Sequence, residues 1–378
     1  MFPSFSETFI SNKVRMLCER GHTVIVFCSE KNQSLLDVLF PNISNLEVKL
    51  LNKATIFRNW ILFPFIGLKN IDLRQTLIPQ IYYAVRTYML NKVKADIIHF
   101  EFSGIGIEYL DAMENNYSKK VVSCRGSAEK VKLCIYDDRK NQFLKLIKEV
   151  DRVHCVSYDM KDTILPYCSN PKKIFVNYPS IDTNYFSREK IKEKTNSINI
   201  LSVGRITFQK GYTNALYTMS FLKSQQLSFI WTIVGSGDVL EEFIFKIHEF
   251  GLTDNIILAG TKSRAEVKML MENADIFYLP SLYEGVANVV LEAMSMELPV
   301  VVTKSGGMEE VITHRDDGLL ADIFDFKSHA NLILEIVNEQ HLGKKLGSAA
   351  RKKVVELYSL EKQTTVFENV YKELQDEK

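Results

Sequence analysis

Two glutamates, Glu284 and Glu292, have a type and spacing that could support chemistry. The apolar run Ile276–Leu279 predicts a buried strand, Gly285 predicts a turn, and Val289–Met296 has the composition of a helix. Glu284 would then lie in a loop and Glu292 one turn into the helix. A loop that leads into a helix N-terminus suits phosphate, and carboxylates accept hydrogen bonds from sugar or ribose hydroxyls. The alternative interpretation is two ordinary surface glutamates.

Two cations follow another predicted strand, Ile198–Val203. Gly204 and Arg205 end this strand, and Lys210 opens the next helical segment. Two cations at one strand-to-helix turn could neutralise a diphosphate, although solvated surface charge is the alternative interpretation.

The second half of the chain alternates between predicted strands and helices. Phe229–Val234 is a predicted strand before Gly235, and Ile256–Gly260 is the next one. This alternation predicts an α/β architecture with a parallel, doubly wound sheet.

The first half begins with a turn and a helix. Ser4 and Glu7 fit a capping box, and Gly21 marks the end of the helix. A doubly wound sheet normally has a strand before its first helix, and the residues before Ser4 are too few for one. Either an earlier start of the chain or an open sheet edge is therefore expected.

Two residues at strand ends are further candidates. His99 lies near the end of the predicted strand Asp96–Phe100 and could reach a cleft, but a core histidine with satisfied hydrogen bonds is the other interpretation. Arg125 follows the predicted strand Val121–Cys124. An arginine stays protonated and cannot act as a base, but it can hold an anion.

Length and composition indicate a two-domain globular protein. The chain has 378 residues, of which 46% are hydrophobic and 25% charged. The polar stretch Arg188–Ser197 predicts a linker. The six cysteines form no Cys-x-x-Cys pair and predict buried free thiols in a reducing cytosol. The chain shows no signal peptide and no apolar run of about 20 residues, the length that a membrane span needs.

Charge is unevenly distributed, because residues 1–180 contain 25 Lys and Arg but 18 Asp and Glu. The aromatic run Trp60–Ile66 lies in this half, between Arg58 and Lys69. An anionic membrane surface or a lipid-linked acceptor could contact it. A core segment and an uneven surface charge are the alternative interpretations.

The stretch from Pro280 to Val300 resembles the Glu-x7-Glu motif of retaining GT-B glycosyltransferases of family 4. Similar landmarks occur in order over about half of the chain. They are Val203-Gly204-Arg205, Lys210-Gly211, Val234–Gly237, Ala274–Phe277, Val300–Thr303, Gly306–Ile312 and Asp317–Leu320.

This resemblance implies two Rossmann-like, doubly wound parallel-sheet domains facing each other across a cleft. The first domain would span residues 1–186, with its first strand apparently missing, and helix 360–378 would complete it. The second would span residues 197–359. The last helix would bury its apolar residues on the first domain, namely Val366, Phe367, Val370, Tyr371 and Leu374.

The resemblance also implies a retaining transfer of a sugar from a nucleotide-sugar to an acceptor hydroxyl. Arg205 and Lys210 would neutralise the diphosphate, Glu284 would hold the sugar, and these three would be the catalytic set. Glu292 would hold the ribose. The other donor-site residues would be Gly204, Gly235, Gly260, Val286, Ala287, Asn288 and Val289, and the acceptor side would contain Glu7, Thr8, His99 and Arg125.

No Asp-x-Asp occurs in the chain, so metal-independent transfer with no cofactor is expected. The expected partners are the nucleotide-sugar and a glycan or lipid-linked acceptor, with no nucleic acid. The expected location is the cytoplasm, with peripheral contact at the inner face of the membrane left open.

Two alternatives remain at this point. One is a non-catalytic GT-B subunit or chaperone, favoured by the missing strand and by Arg125 where many relatives have a histidine. The four residues Arg205, Lys210, Glu284 and Glu292 oppose it. The other is a nucleotide-sugar epimerase, which the complete Glu-x7-Glu context argues against.

Overall fold

The structure is a computed structural model that describes residues 1–4, 7–51, 87–113, 116–189 and 197–377. The aromatic run Trp60–Ile66 and most of the expected linker lie outside the described residues. The chain divides into two compact units. Unit 1 contains Met1–Val156, Met160–Asn177 and Thr364–Lys378, and unit 2 contains Ser157–Asp159 and Tyr178–Gln363.

Unit 1 has six strands in its described part, arranged in two parallel groups. The first group pairs β1 with β2, and the second has the order β3-β4-β5-β6. The strands are β1 (Val24–Cys28), β2 (Leu46–Leu50), β3 (Ile97–Phe100), β4 (Lys119–Cys124), β5 (Arg152–Cys155) and β6 (Ile174–Val176).

Helices cover these strands and bury an apolar core in which Val122, Phe143, Leu146 and Val153 have no exposed surface. The helices are α1 (Thr8–Glu19), α2 (Gln33–Leu39), α3 (Ser103–Glu108), α4 (Leu110–Met113), α5 (Ser127–Lys130), α6 (Lys132–Ile135), α7 (Asp137–Glu149) and α8 (Tyr158–Ile164), of which α8 begins in unit 2.

The start of α1 differs from the expected capping box. The helix begins at Thr8, so Glu7 itself occupies the N-cap position, and its side chain makes no capping hydrogen bond. The capping-box prediction is therefore wrong. The expected end is confirmed, because Gly21 has a left-handed φ of 91° just after the helix.

Unit 2 contains one six-stranded parallel sheet with the order β12-β11-β10-β7-β8-β9. This is the doubly wound order, in which the chain starts in the middle of the sheet and builds outward in both directions. The strands are β7 (Ile198–Val203), β8 (Phe229–Val234), β9 (Ile256–Gly260), β10 (Ile276–Leu279), β11 (Val300–Thr303) and β12 (Leu319–Ala321).

Two buried apolar clusters form the core of unit 2. Trp231, Tyr278 and Phe277 are fully buried parts of them. The helices are α9 (Tyr212–Ser224), α10 (Leu240–Glu249), α11 (Arg264–Asn273), α12 (Asn288–Ser295), α13 (Met308–Val311), α14 (Phe326–Asn338), α15 (Gln340–Leu357) and α16 (Leu360–Asp376), of which α16 continues into unit 1.

The last helix, α16, buries Phe367, Val370 and Leu374 among residues of unit 1. The ring of Phe367 lies 4.9 Å from the His154 ring, between centroids. Val366 differs from the sequence expectation, because 37% of it is exposed.

The cysteines of the chain form no disulfide bonds. All six cysteines are free thiols. Four are buried as expected, namely Cys18, Cys124, Cys155 and Cys168, whereas Cys28 is partly exposed and Cys134 is exposed. Within the described part of the chain, no helix combines the length and apolar character needed to cross a membrane.

Candidate functional site

The candidate site of unit 2 lies between β7 and β10, where the chain stops adding strands to one side of the sheet and begins adding them to the other. Strands β7 and β10 are neighbours in the sheet, and the chain leaves them toward opposite flanks. The loop after β7 carries Arg205 and Lys210, and the loop after β10 carries Glu284. In open parallel sheets, ligands bind at this point, outside the carboxyl ends of the strands.

Hydrogen bonds hold the two loops against each other. The backbone N–H of Leu282 donates to the Gln209 carbonyl at 2.8 Å, and Nε2 of Gln209 donates to the Tyr283 carbonyl at 3.0 Å. Gly211 has a φ of 67°, and a Cβ on it would lie 2.1 Å from the Pro280 carbonyl oxygen. Only glycine permits this approach, so the backbone beneath the site is closely defined.

Lys210 and Glu284 form an ion pair at this junction. Nζ of Lys210 lies 2.6 Å from Oε1 of Glu284, and only 13% and 8% of the two side chains are exposed. Arg205 is exposed, and in the described part of the chain it forms no ion pair. The structure therefore places one paired cation and one unpaired cation at the same strand-to-helix turn.

The helix after Glu284 begins at Asn288 rather than at Val289, with Ala287 as its N-cap. The Ala287 N–H points to the Met308 sulfur at 3.4 Å. Among the described residues, the backbone N–H groups of Asn288 and Val289 have no hydrogen-bond partner. Free N–H groups at a helix N-terminus provide an anion-binding position. Val286, just before them, is partly buried.

Glu292 lies on α12, one turn beyond these N–H groups, and only 9% of it is exposed. Burial raises the pKa of its carboxyl to about 7, although the positive charge of Arg264 acts in the opposite direction. A buried carboxyl of this kind needs hydrogen-bond donors when it is ionised.

The other predicted glycines lie at the same edge of the sheet. The Gly235 N–H donates to the Gly260 carbonyl at 2.9 Å, which joins the ends of β8 and β9. A Cβ on Gly204 would lie 3.0 Å from the Tyr212 hydroxyl and 3.1 Å from Cε of Lys210. The Tyr212 hydroxyl is buried and has no hydrogen-bond partner in the part of the chain that the structure describes.

In unit 1, Arg125 is held by Glu101. Its Nη2 donates to Oε2 of Glu101 at 2.7 Å, and its Nε donates to the Glu101 carbonyl at 3.0 Å. The guanidinium also lies 4.3 Å from the centroid of the Phe9 ring. The Glu129 carboxylate accepts from the backbone N–H groups of Arg125 and Gly126, at 3.3 and 3.2 Å. Glu129 therefore shapes the turn that carries Arg125.

His99 belongs to a connected set of hydrogen bonds. Its Nδ1 lies 2.6 Å from the Tyr371 hydroxyl and its Nε2 lies 2.8 Å from the Ser123 hydroxyl. The Ser123 hydroxyl also lies 2.8 Å from Nδ1 of His154. Burial lowers the pKa of His99 well below its ordinary value. These contacts fit the interpretation of His99 as a satisfied core histidine.

Lys13 and Glu101 complete this polar cluster, and sequence patterns did not single them out. The Lys13 ammonium is buried and forms an ion pair with Glu101. Burial opposes ionisation of Glu101, but Lys13, His99 and Arg125 outweigh it and hold the Glu101 pKa well below its ordinary value. Arg125 and His99 thus lie in one cluster, whereas Glu7 and Thr8 are placed only at the start of α1, next to Phe9.

The described residues contain no group of three His, Cys, Asp or Glu side chains placed to hold a metal ion.

Comparison with known proteins assigns the family. Residues 6–185 match the family model described as Glycosyltransferase Family 4, and residues 184–353 match that of Glycosyl transferases group 1. The amylovoran biosynthesis glycosyltransferase AmsK of Erwinia amylovora is 27% identical over 364 residues, covering 89% of this chain and 88% of that protein. An Escherichia coli UDP-Gal:alpha-D-GlcNAc-diphosphoundecaprenol alpha-1,3-galactosyltransferase is 23% identical over 305 residues, covering 75% of this chain and 76% of that protein.

Solved structures agree with this assignment at the level of the fold. The crystal structure of Anabaena HepE in complex with UDP-glucose superposes with a TM-score of 0.79 at 15% identity, covering 98% of this chain and 96% of HepE. The two family models together span residues 6–353, both domains are of the Rossmann-like α/β type, and the relatives are glycosyltransferases. The chain therefore belongs to glycosyltransferase family 4 and is a glycosyltransferase with the GT-B fold.

Proposed function

We propose that this glycosyltransferase moves a sugar from a nucleotide-sugar donor to an acceptor hydroxyl, with retention of the anomeric configuration, in polysaccharide or glycolipid assembly. The observation that carries the proposal is the set Arg205, Lys210 and Glu284 at the carboxyl ends of β7 and β10. It combines two cations for a diphosphate with a carboxylate for sugar hydroxyls.

Each residue has a distinct role in this proposal. Arg205 and Lys210 neutralise the charge that develops on the departing diphosphate, which is the main catalytic contribution. The free N–H groups of Asn288 and Val289 bind a phosphate oxygen. Glu284 accepts hydrogen bonds from the sugar hydroxyls, and Glu292 accepts them from the ribose hydroxyls.

The relatives support the choice of donor and product. The HepE structure contains UDP-glucose, the Escherichia coli relative is named for a UDP-Gal donor and a diphosphoundecaprenol acceptor, and AmsK is named for amylovoran biosynthesis. A nucleotide-sugar donor and a glycan or lipid-linked acceptor are the corresponding proposal for this chain. Arg125, Glu7 and Thr8 are proposed for the acceptor side, whereas the hydrogen bonds of both His99 ring nitrogens favour a structural role for that residue.

A screen for binding followed by a transfer assay tests the proposal. UDP-, GDP- and ADP-sugars are compared by thermal unfolding, where a ligand at ~100 times its Kd adds about 2.7 kcal/mol of stability. The donor that binds is then incubated with lipid-linked acceptors, and NMR of the product reports the anomeric configuration. Transfer with retention, undiminished by EDTA, is expected. Inversion would refute the retaining mechanism, and activity that returns only with Mg²⁺ or Mn²⁺ would refute metal independence.

A further inference from the structure

The Lys210–Glu284 ion pair joins two residues that are proposed to bind different parts of the donor. This inference rests on the proposed function, in which Lys210 binds the diphosphate and Glu284 binds the sugar. In the structure the two side chains bind each other at 2.6 Å. Because the Lys210 ammonium has three N–H donors, a diphosphate competes with Glu284 for them, and the pair separates where a phosphate oxygen takes the N–H group that Glu284 holds.

The loops around this pair restrict how the separation can happen. The bonds from Leu282 to Gln209 and from Gln209 to Tyr283 tie the two loops together, and Gly211 lies against the Pro280 carbonyl. Loop movement would break all of these contacts. Rotation of the long, flexible lysine side chain breaks none of them.

Separation leaves Glu284 with a need for new donors, because only 6% of the residue is exposed. A buried carboxylate without hydrogen-bond donors is costly. A nucleotide-sugar supplies sugar hydroxyls that replace the ammonium. A nucleoside diphosphate lacks the transferred sugar, and its ribose hydroxyls bind Glu292 in the proposed function, so it supplies no hydroxyls to Glu284.

We propose that Glu284 discriminates between donor and product by competing with the nucleoside diphosphate for Lys210. With the whole donor, the sugar hydroxyls satisfy Glu284 and Lys210 is free to hold the diphosphate. After transfer the sugar is gone, so Glu284 re-forms its bond with Lys210 and weakens the hold on the product. Specificity here comes from a competing internal contact as well as from contacts with the ligand.

Calorimetric titration of UDP, GDP and ADP, each separately, into four proteins tests this inference. The proteins are the wild type, Glu284→Gln, Glu284→Ala and the control Glu356→Gln. Glu356 is exposed on α15 and makes no contact with the pair among the described hydrogen bonds and ion pairs, so the control removes one negative charge from the same unit. Thermal unfolding of each protein shows whether it is folded.

Both Glu284 variants are expected to bind the preferred nucleoside diphosphate about tenfold more tightly than the wild type, because a charge-assisted competitor has been removed. Glu356→Gln is expected to bind as the wild type does. Equal or weaker binding by both Glu284 variants would overturn the competition while leaving the proposed donor class intact. The absence of binding of all three diphosphates to all four folded proteins would instead refute the proposed function, and the inference with it.

Discussion

The carboxylate of Glu310 accepts a hydrogen bond from the Tyr178 hydroxyl at 2.7 Å, and both residues belong to unit 2. The same carboxylate accepts from the backbone N–H groups of Tyr158 and Asp159, at 2.8 and 2.7 Å. Glu310 therefore holds the short segment Ser157–Asp159, where the chain first enters unit 2, to the rest of that unit.

Glu310→Ala is expected to lower the free energy of unfolding by about 2–3 kcal/mol, because three hydrogen bonds to one carboxylate are lost together. Chemical denaturation measures this change. The neighbouring Glu309 is exposed, so Glu309→Ala is the matched control and should change stability by less than about 0.5 kcal/mol. Equal effects of the two substitutions would contradict the anchoring role of Glu310.

Glu297 has a left-handed backbone with a φ of 56°. A side chain costs about 1 kcal/mol in this region, whereas glycine enters it freely. Glu297→Gly is therefore expected to raise the free energy of unfolding by about 0.5–1 kcal/mol, as measured in urea. Glu297→Ala keeps the Cβ and should give no such gain. A gain of equal size in both variants would show that the glutamate side chain, and not backbone strain, is responsible.

Tyr212 and Tyr278 are both buried tyrosines of unit 2, but their hydroxyls differ. The Tyr278 hydroxyl lies 2.7 Å from Nδ1 of His329, whereas the Tyr212 hydroxyl has no partner among the described residues. Tyr278→Phe is expected to cost about 1–2 kcal/mol, and Tyr212→Phe is expected to be neutral or stabilising. Chemical denaturation compares the two. A loss for Tyr212→Phe as large as that for Tyr278→Phe would show that the Tyr212 hydroxyl is hydrogen-bonded in solution.

Glu292 makes stability depend on pH. Burial raises its pKa from 4.5 to about 7, so the folded chain holds this proton more tightly than the unfolded chain does. The resulting stabilisation is full below about pH 4.5 and is lost as the pH rises through about 7. Between pH 5 and 8 the wild type should lose about 2 kcal/mol more stability than Glu292→Gln, measured by urea unfolding. Parallel pH profiles of the two proteins would contradict the raised pKa.

The strands of unit 2 could be predicted closely from the sequence. Ile198–Val203, Phe229–Val234 and Ile276–Leu279 have the expected bounds, because each is a mainly apolar run bounded by polar or turn-forming residues. The loops that carry Arg205, Lys210 and Glu284 follow from these bounds. Family resemblance then supplied their expected roles.

Contacts between distant residues could not be predicted in this way. Lys210 and Glu284 are 74 residues apart in sequence, and Glu310 lies 132 residues from Tyr178. The hydrophobic periodicity of the sequence carries no information about which distant residues pair. Lys13 is a similar case, because a lysine on a helix normally faces water, and only the folded arrangement buries it beside Glu101.

In the proposed reaction, the two cations after β7, Arg205 and Lys210, stabilise a departing diphosphate. Arg205 is the better test of the two, because it is exposed and forms no ion pair in the described part of the chain, so its removal should leave the fold intact. Lys210→Ala should also lower turnover, but it leaves Glu284 without its partner. Lys344, exposed on α15, provides the control Lys344→Ala.

The decisive measurement is kcat for transfer by Arg205→Ala, with the donor that the binding screen identifies. Loss of one charge contact in the transition state costs about 3 kcal/mol, so kcat should fall by about 100-fold. Unfolding of the variant should match the wild type, and Lys344→Ala should retain full turnover. Unchanged turnover in Arg205→Ala would contradict the assignment of this turn to the diphosphate.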